Sequence, residues 1–141
     1  MKSDMKFTEF PYERPDAAVI GERFKHLIAS FNEADTGEQQ SRIISEINRL
    51  RNYFDTLGTI VSVRHSIDTN DEFYKAEQDY MDETIPVVQE YVTDYYRALV
   101  QSRFRPELEE KWGRQLFRLA ELALKTFRPE IIEDLQLENK L

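Results

Sequence analysis

Residues 42–104 read RIISEINRLRNYFDTLGTIVSVRHSIDTNDEFYKAEQDYMDETIPVVQEYVTDYYRALVQSRF, and this stretch decides the fold. In its first half, apolar side chains recur at spacings of three and four residues. Such spacing predicts a helix with one buried face, because an α-helix turns once in about 3.6 residues. The apolar positions are Ile43, Ile47, Leu50, Phe54, Leu57 and Val61.

The second half carries another apolar arc, after the turn-like residues 67–71. A connection this short predicts two antiparallel helices that pack on each other. Thr69 or Asn70 is predicted to cap the second helix. Pro86 lies inside it but leaves the phase of the arc unchanged, so we expect a kink and no break. The arc contains Phe73, Tyr80, Met81, Val87, Val88, Tyr91, Tyr95, Ala98 and Leu99.

The residues before this hairpin predict an arm and one further helix. Residues 1–15 show no helical period, so we expect an extended arm whose aromatic side chains pack on the helices. Pro15-Asp16 is a helix start, and Thr36 with Gln39 forms a capping box for the next helix. The predicted first helix has its apolar stripe at Ile20, Phe24, Leu27, Ile28 and Phe31, and the aromatic residues of the arm are Phe7, Phe10 and Tyr12.

The residues after the hairpin predict two more helices, starting at Pro106 and at Pro129. The fold class is therefore all-α: an antiparallel array of about five helices in a single domain, residues 1–141, with an arm (1–15) and helices (16–141). The fourth helix is predicted to bury Leu108, Trp112, Leu116, Leu119, Leu122 and Ala123. The fifth contains Ile131, Ile132 and Leu135, and no helix-stop residues follow it.

The net charge of −8 is concentrated in one segment, residues 68–94, which holds nine acids and one base, Lys75. An acidic balance argues against a nucleic-acid partner, since phosphate binding needs a basic surface. The acids favour a solvated helix face, and a docking strip for a basic partner is the alternative. They are Asp68, Asp71, Glu72, Glu77, Asp79, Asp82, Glu83, Glu90 and Asp94.

Composition also bears on location. No apolar run approaches the ~18 residues of a membrane span, and the N-terminus lacks a secretory signal pattern. The chain contains no cysteine, which excludes disulfides and thiolate metal sites. These features predict a soluble, cytoplasmic protein without membrane contact.

Glu77 is the acid that helical periodicity places inside the apolar arc. Either it pairs with Arg64, Arg51 or His65 across the hairpin, or it faces an open cleft. Five of the seven tyrosines lie between residues 74 and 96, and such a face is either core or the lining of a ligand site.

Candidate metal ligands are few. His26 is predicted on the surface, and His65 is predicted to be a hydrogen-bonded inward residue. His65 and Asp68, three residues apart, could supply two metal ligands, but a catalytic zinc needs a third. The zinc motif HExxH does not occur in this sequence. We therefore assign no catalytic, metal-binding or cofactor-binding residue to the chain.

Four strings nevertheless carry a resemblance: residues 47–52 (INRLRN), 63–74 (VRHSIDTNDEFY), 108–113 (LEEKWG) and 127–135 (FRPEIIEDL). They resemble the N-terminal region of bacterial oligoendopeptidase F, a thimet-oligopeptidase-like zinc metallopeptidase, and the resemblance runs from about residue 5 to residue 141.

The resemblance implies an all-helical channel wall that admits short peptides, in an enzyme whose zinc and general base lie on a later HExxH helix. The expected function is the N-terminal portion of such a peptidase, inactive alone, with the rest of the enzyme and short peptides as partners. The alternative is a free-standing interaction module derived from that domain. We also expect an apolar surface near Ile131, Ile132 and Leu135, where the rest of the enzyme docks or a homodimer forms.

Overall fold

The computed structural model describes residues 11–126, which form five α-helices joined by short turns. No strand occurs within that range, so the all-α prediction is confirmed. Residues 11–16 precede the first helix without regular structure, as predicted for the end of the arm. The helices are α1 (Ala17–Glu33), α2 (Gly37–Ile67), α3 (Glu72–Val100), α4 (Arg105–Trp112) and α5 (Arg114–Thr126). The predicted helix at Ile131, Ile132 and Leu135 lies outside the described residues, as do Phe7 and Phe10.

Short polar side chains set the helix starts. The Asp16 carboxylate caps α1, and the Thr36 hydroxyl accepts from the Gln39 N–H at 3.1 Å. The prediction that Thr69 or Asn70 caps α3 is wrong, because the Asp71 carboxylate accepts from the first backbone N–H groups of that helix. Thr69 and Asn70 belong instead to a turn that the Asp68 side chain closes on the Asn70 N–H at 3.0 Å.

Helix α3 lies at the centre of the fold and packs against α1, α2 and α5. Helices α2 and α3 are antiparallel, because residues near the end of α2 contact the start of α3, while earlier residues of α2 contact later residues of α3. Arg64 bonds Tyr74 near the turn, and Arg51 covers Tyr96 far from it. The core between the helices includes Phe24, Phe31, Ile44, Ile47, Leu50, Phe54, Val61, Met81, Val88, Tyr95, Leu99, Leu108 and Phe117.

The buried face of α3 is narrower than the predicted arc. Phe73 is 55% exposed and Val87 is 45% exposed, so their predicted burial is wrong. The buried positions follow a stricter stripe, at spacings of three and four residues, and Val87 is rotated by about 100° from its buried neighbour Val88. Helix α3 continues through Pro86, which confirms that no break occurs there. The stripe comprises Glu77, Met81, Thr84, Val88, Val92, Tyr95 and Leu99, joined by Tyr96 and Ala98.

The predicted fourth helix is in fact two helices, separated at Gly113. This residue has φ 93° and ψ 150°, a conformation that essentially only glycine adopts. Because of the break, the buried face of α5 does not continue the helical phase of α4. Helix α5 buries Phe117, Ala120 and Ala123. Leu119 and Leu122 were expected to be buried, but they are 53% and 62% exposed. Helix α5 packs against α3, and two of its three buried residues are alanines.

Candidate functional site

A carboxylate between two tyrosines marks the first turns of α3. Tyr74, Glu77 and Tyr80 are spaced by three residues, which places them along one face of the helix. Glu77 is only 3% exposed, although it carries a charge. The arm crosses this face through Tyr12 and Arg14. We call these five residues the Glu77 site.

Both oxygens of the Glu77 carboxylate are occupied by donors from the arm. The Arg14 Nε lies 3.0 Å from each oxygen, and the Arg14 Nη2 also donates to Oε2. The Tyr12 hydroxyl donates to Oε1 at 2.7 Å. A two-pronged guanidinium contact of this kind is among the stronger ion pairs in proteins because two N–H groups meet two oxygens.

The tyrosines on either side hold the arm in place. The Arg14 guanidinium lies over the Tyr80 ring, 4.4 Å from its centre, while the Tyr12 ring meets the Tyr74 ring edge-on at 6.1 Å. The Tyr80 hydroxyl donates to the Pro15 carbonyl at 2.7 Å and accepts from the backbone N–H of Ala17 at 3.2 Å. Tyr74 and Tyr80 therefore each position one part of the arm.

The electrostatics fix the protonation state of the site. Hydrogen bonding from Arg14 lowers the pKa of the Glu77 carboxyl, outweighing the opposite effect of burial, and Tyr12 adds to the lowering. Burial, and then the hydrogen bond to Glu77, raises the pKa of the Tyr12 phenol. The carboxylate is ionised and the phenol protonated near neutral pH. This arrangement binds a cation firmly but offers no free base to activate water.

The structure confirms the inward position of Glu77 and corrects its partners. Among residues 11–126 its hydrogen-bond donors are Tyr12 and Arg14 of the arm, where Arg64, Arg51 or His65 was predicted, and at 3% exposure it does not face an open cleft. Helical periodicity places residues on a helix face, but it cannot locate an arm that has no period. The available signal was the alternation of Tyr12 and Arg14, since residues two apart lie on the same side of an extended chain.

The tyrosine-rich face contributes mainly to the core. Tyr95 is completely buried and Tyr96 is 5% exposed. The Tyr91 ring stacks on Phe24 of α1, with ring centres 5.9 Å apart. The Tyr95 hydroxyl has no hydrogen-bond partner within residues 11–126, and burial raises its pKa. Of the two interpretations, core packing therefore accounts for Tyr91, Tyr95 and Tyr96.

Within residues 11–126, the pair His65 and Asp68 has no third side chain of the kind that a zinc site needs. His65 is half-buried and its Nδ1 lacks a hydrogen-bond partner in the described structure, while Asp68 is exposed and accepts from the Asn70 N–H. Nowhere between residues 11 and 126 do three His, Asp or Glu side chains converge to hold a metal ion. His26 is exposed, as predicted, in an open groove of about 650 Å³ beside Glu22 and Glu46.

Comparison with protein families decides the relationship. The sequence model described as "Peptidase M3 N-terminal domain" matches residues 7–127. The chain belongs to the peptidase M3 N-terminal domain family. The resemblance inferred from the short strings is thereby confirmed, and the five described helices are those of an M3 N-terminal domain.

Solved structures agree with this M3 assignment. Pz peptidase A, in a complex with an inhibitor, is 56% identical and superposes with a TM-score of 0.85. A protein described as an oligoendopeptidase F from Bacillus anthracis strain Ames is 50% identical, with a TM-score of 0.85. Each similarity covers 96% of this chain but only 24% and 25% of those proteins, so the chain spans about a quarter of their length. Comparison with curated proteins found no match.

Two further surfaces of this M3 domain bear on its partners. Apart from Glu77, the acids of residues 68–94 lie at the surface, and only the helix-capping Asp71 is partly buried among them. On α5, Leu119 and Leu122 form an exposed apolar pair one helical turn apart. No helix within residues 11–126 is both long and apolar enough to cross a membrane.

Proposed function

We propose that this chain is the N-terminal helical portion of a zinc-dependent oligoendopeptidase, an enzyme that hydrolyses short peptides in the cytoplasm. The observation that carries the proposal is the 56% identity to Pz peptidase A over 96% of this chain. Identity at this level, together with a TM-score of 0.85, supports a shared role as well as a shared fold. The role of these helices is to form one wall of the channel that admits flexible peptides.

The chemistry is assigned to polypeptide outside these 141 residues. The described side chains do not fit a zinc centre, since no three of their His, Asp and Glu side chains converge. Glu77, the buried carboxylate, is held by Arg14 and Tyr12 and has no free oxygen for a water molecule. We therefore place zinc and the general base on the HExxH helix implied by the family, and expect no activity from this chain alone.

The exposed leucines of α5 suggest where the rest of the enzyme packs. Leu119 and Leu122 present apolar area to water on the last described helix, and covering such area is favourable by roughly 25 cal/mol per Å². We propose that the remainder of the polypeptide covers them. When that remainder is absent, we propose that two copies of this chain form a homodimer through the predicted helix at Ile131, Ile132 and Leu135.

Supplying the enzyme as two polypeptides tests the proposal. The 141-residue chain and the remainder of the polypeptide are purified separately and assayed with a quenched fluorescent peptide. We expect hydrolysis that requires zinc and increases when the two are mixed. Zinc-dependent hydrolysis by the 141-residue chain alone, surviving rigorous removal of contaminants, would contradict the proposal.

A matched pair of variants tests the role of α5. Replacing both leucines, Leu119→Ser and Leu122→Ser, should raise the concentration of the 141-residue chain needed to activate the remainder by at least about tenfold. Full burial of a leucine contributes about 1.5–3 kcal/mol, and about half of each of these side chains is still exposed. Gln115→Ser, at an exposed polar position of the same helix, should leave it unchanged. Equal behaviour of the two variants would show that α5 does not contact the remainder.

A further inference from the structure

Within residues 11–126, the donors to the Glu77 carboxylate come from the arm, which lies outside the helices. Among the described residues, Glu77 accepts hydrogen bonds from Tyr12 and Arg14, and both belong to the arm. The Glu77 carboxylate is 3% exposed, and neither Tyr12 nor Arg14, which donate to it, lies on a helix. A buried charge without a partner is strongly unfavourable. The helical face is thus built to be completed by a cation that comes from elsewhere.

The geometry of the site selects a guanidinium. Its two N–H groups reach both oxygens of Glu77 while its flat face lies over the Tyr80 ring at 4.4 Å. An ammonium group is a compact charge that cannot make a planar two-pronged contact and stack on a ring at once. A second position, formed by Tyr74 and Phe73, takes the aromatic ring of Tyr12 two residues earlier.

The arm that fills the site is a short linear peptide. Residues 11–16 have no regular structure, and the Arg14 side chain is half exposed, so the guanidinium can leave without opening the helices. Within the described residues 11–16, the hydrogen bonds that join the arm to the side chains of α3 run from Tyr12 to Pro15. A separate peptide of the same sequence can make the same contacts.

We propose that Tyr74, Glu77 and Tyr80 form an arginine-binding site that the arm occupies through Arg14, and that the site accepts an arginine from a separate extended peptide when the arm is removed. The ligand class is a peptide with an aromatic residue two positions before arginine. In the intact protein the tethered arm competes at a high effective concentration, so a free peptide is excluded.

The test empties the site and refills it. The full chain carrying Tyr12→Ala and Arg14→Ala is titrated with a fluorescent, end-capped peptide of sequence Pro-Tyr-Glu-Arg-Pro-Asp, and binding is followed by anisotropy. The control peptide has lysine in place of arginine. We expect the arginine peptide to bind at least about tenfold more tightly than the lysine peptide, because only the guanidinium contacts both oxygens and the ring.

Two controls complete the test. Adding Glu77→Gln to the emptied chain should abolish the preference for arginine, and the wild-type chain should bind neither peptide. If the emptied chain is unfolded, the arginine peptide should restore its helical circular dichroism and the lysine peptide should not. Equal effects of both peptides, no effect of either, or unchanged binding after Glu77→Gln would overturn the proposal. None of these outcomes depends on peptidase activity, so the proposed function is tested separately.

Discussion

The two ends of α3 bury polar groups of similar size in different ways. Near its start, Glu77 is 3% exposed and is held by the arm, 63 and 65 residues away in sequence. Near its end, the buried group is Gln40 of α2, which is 4% exposed. Its amide donates to the Phe31 carbonyl at 2.9 Å and accepts from the hydroxyl of Ser102, just after α3. The Glu77 carboxylate therefore depends on a charge supplied by the arm, whereas the Gln40 amide is satisfied by neutral groups at the end of α1 and in the turn after α3.

The difference follows from the cost of burial. A neutral amide needs only hydrogen bonds, which the carbonyl at the end of α1 and the turn after α3 supply. A carboxylate also needs an opposite charge, because its desolvation costs far more. The next residue, Ser41, is also buried and neutral, and its hydroxyl accepts from the Trp112 indole N–H at 2.9 Å. We call Gln40, Ser41, Ser102 and Trp112 the Gln40 network.

The largest loss of stability is expected when a charge is placed at Gln40, where the buried group is neutral. Gln40→Glu removes the donor to Phe31 and leaves a buried carboxylate without a cation, so it should lower the free energy of unfolding by about 3–5 kcal/mol at pH 7. Its counterpart Glu77→Gln should cost about 1–3 kcal/mol, because an amide still makes hydrogen bonds. Urea unfolding measures both variants. Equal losses would mean that the two ends do not differ as described.

The hydrogen bond from Tyr12 to Glu77 should be the next largest contribution. Tyr12→Phe keeps the ring against Tyr74 but removes one donor to a buried carboxylate, which should cost about 1.5–3 kcal/mol. Chemical denaturation of Tyr53→Phe, at an exposed position, provides the control and should show no change. In the Glu77→Gln background the Tyr12→Phe cost should fall to about 0.5–1.5 kcal/mol, as for a bond between neutral groups. An unchanged cost there would show that the Glu77 charge is irrelevant to the bond.

The effect of pH on the stability contributed by Glu77 should be intermediate in size. The pKa of Glu77 is lowered from 4.5 in the folded protein, chiefly by hydrogen bonding from Arg14, so the unfolded chain binds a proton first as the pH falls. The stability from this group is complete above pH 4.5 and is lost as the pH drops through the folded-state pKa. Unfolding measured from pH 6 to pH 3 should show a component that Glu77→Gln lacks. Parallel curves for the two proteins would contradict this assignment.

The smallest effect concerns Gly113, next to Trp112 of the Gln40 network. A Cβ at this position meets no atom within 4 Å, so Gly113→Ala should cost about 1–2 kcal/mol through backbone strain alone. Gln115→Ala, in the following helix, should change stability by less than about 0.5 kcal/mol. Thermal unfolding distinguishes them. If Gly113→Ala is neutral, the break between α4 and α5 is not fixed by this residue.

Much of the fold could be predicted because helix periodicity is local. The apolar spacing of α1 and α2 and the inward position of Glu77 required only counting along one helix. The break at Gly113 could not be predicted in this way, since a single glycine within a helical pattern is usually tolerated. Without that break, Leu119 and Leu122 were assigned to the wrong face.

The candidate site was harder to predict than the fold. Periodicity identified Glu77 but had no information on Arg14, which reaches it from an irregular segment 63 residues earlier. The cap of α3 was missed for a related reason: Thr69, Asn70 and Asp71 are all good caps, and the turn closed by Asp68 decides among them. Both errors concern contacts made by chain outside regular helices.

The most direct test of the proposed function is the mass of the native protein. An antibody against α3 would recover it from its source cells, for intact mass measurement and a peptide-hydrolysis assay. Because this chain covers 24% of Pz peptidase A, we predict a polypeptide about four times as long that hydrolyses short peptides only with zinc bound. A polypeptide of 16.8 kDa, recovered without any peptidase activity, would contradict the proposal and favour the free-standing interaction module.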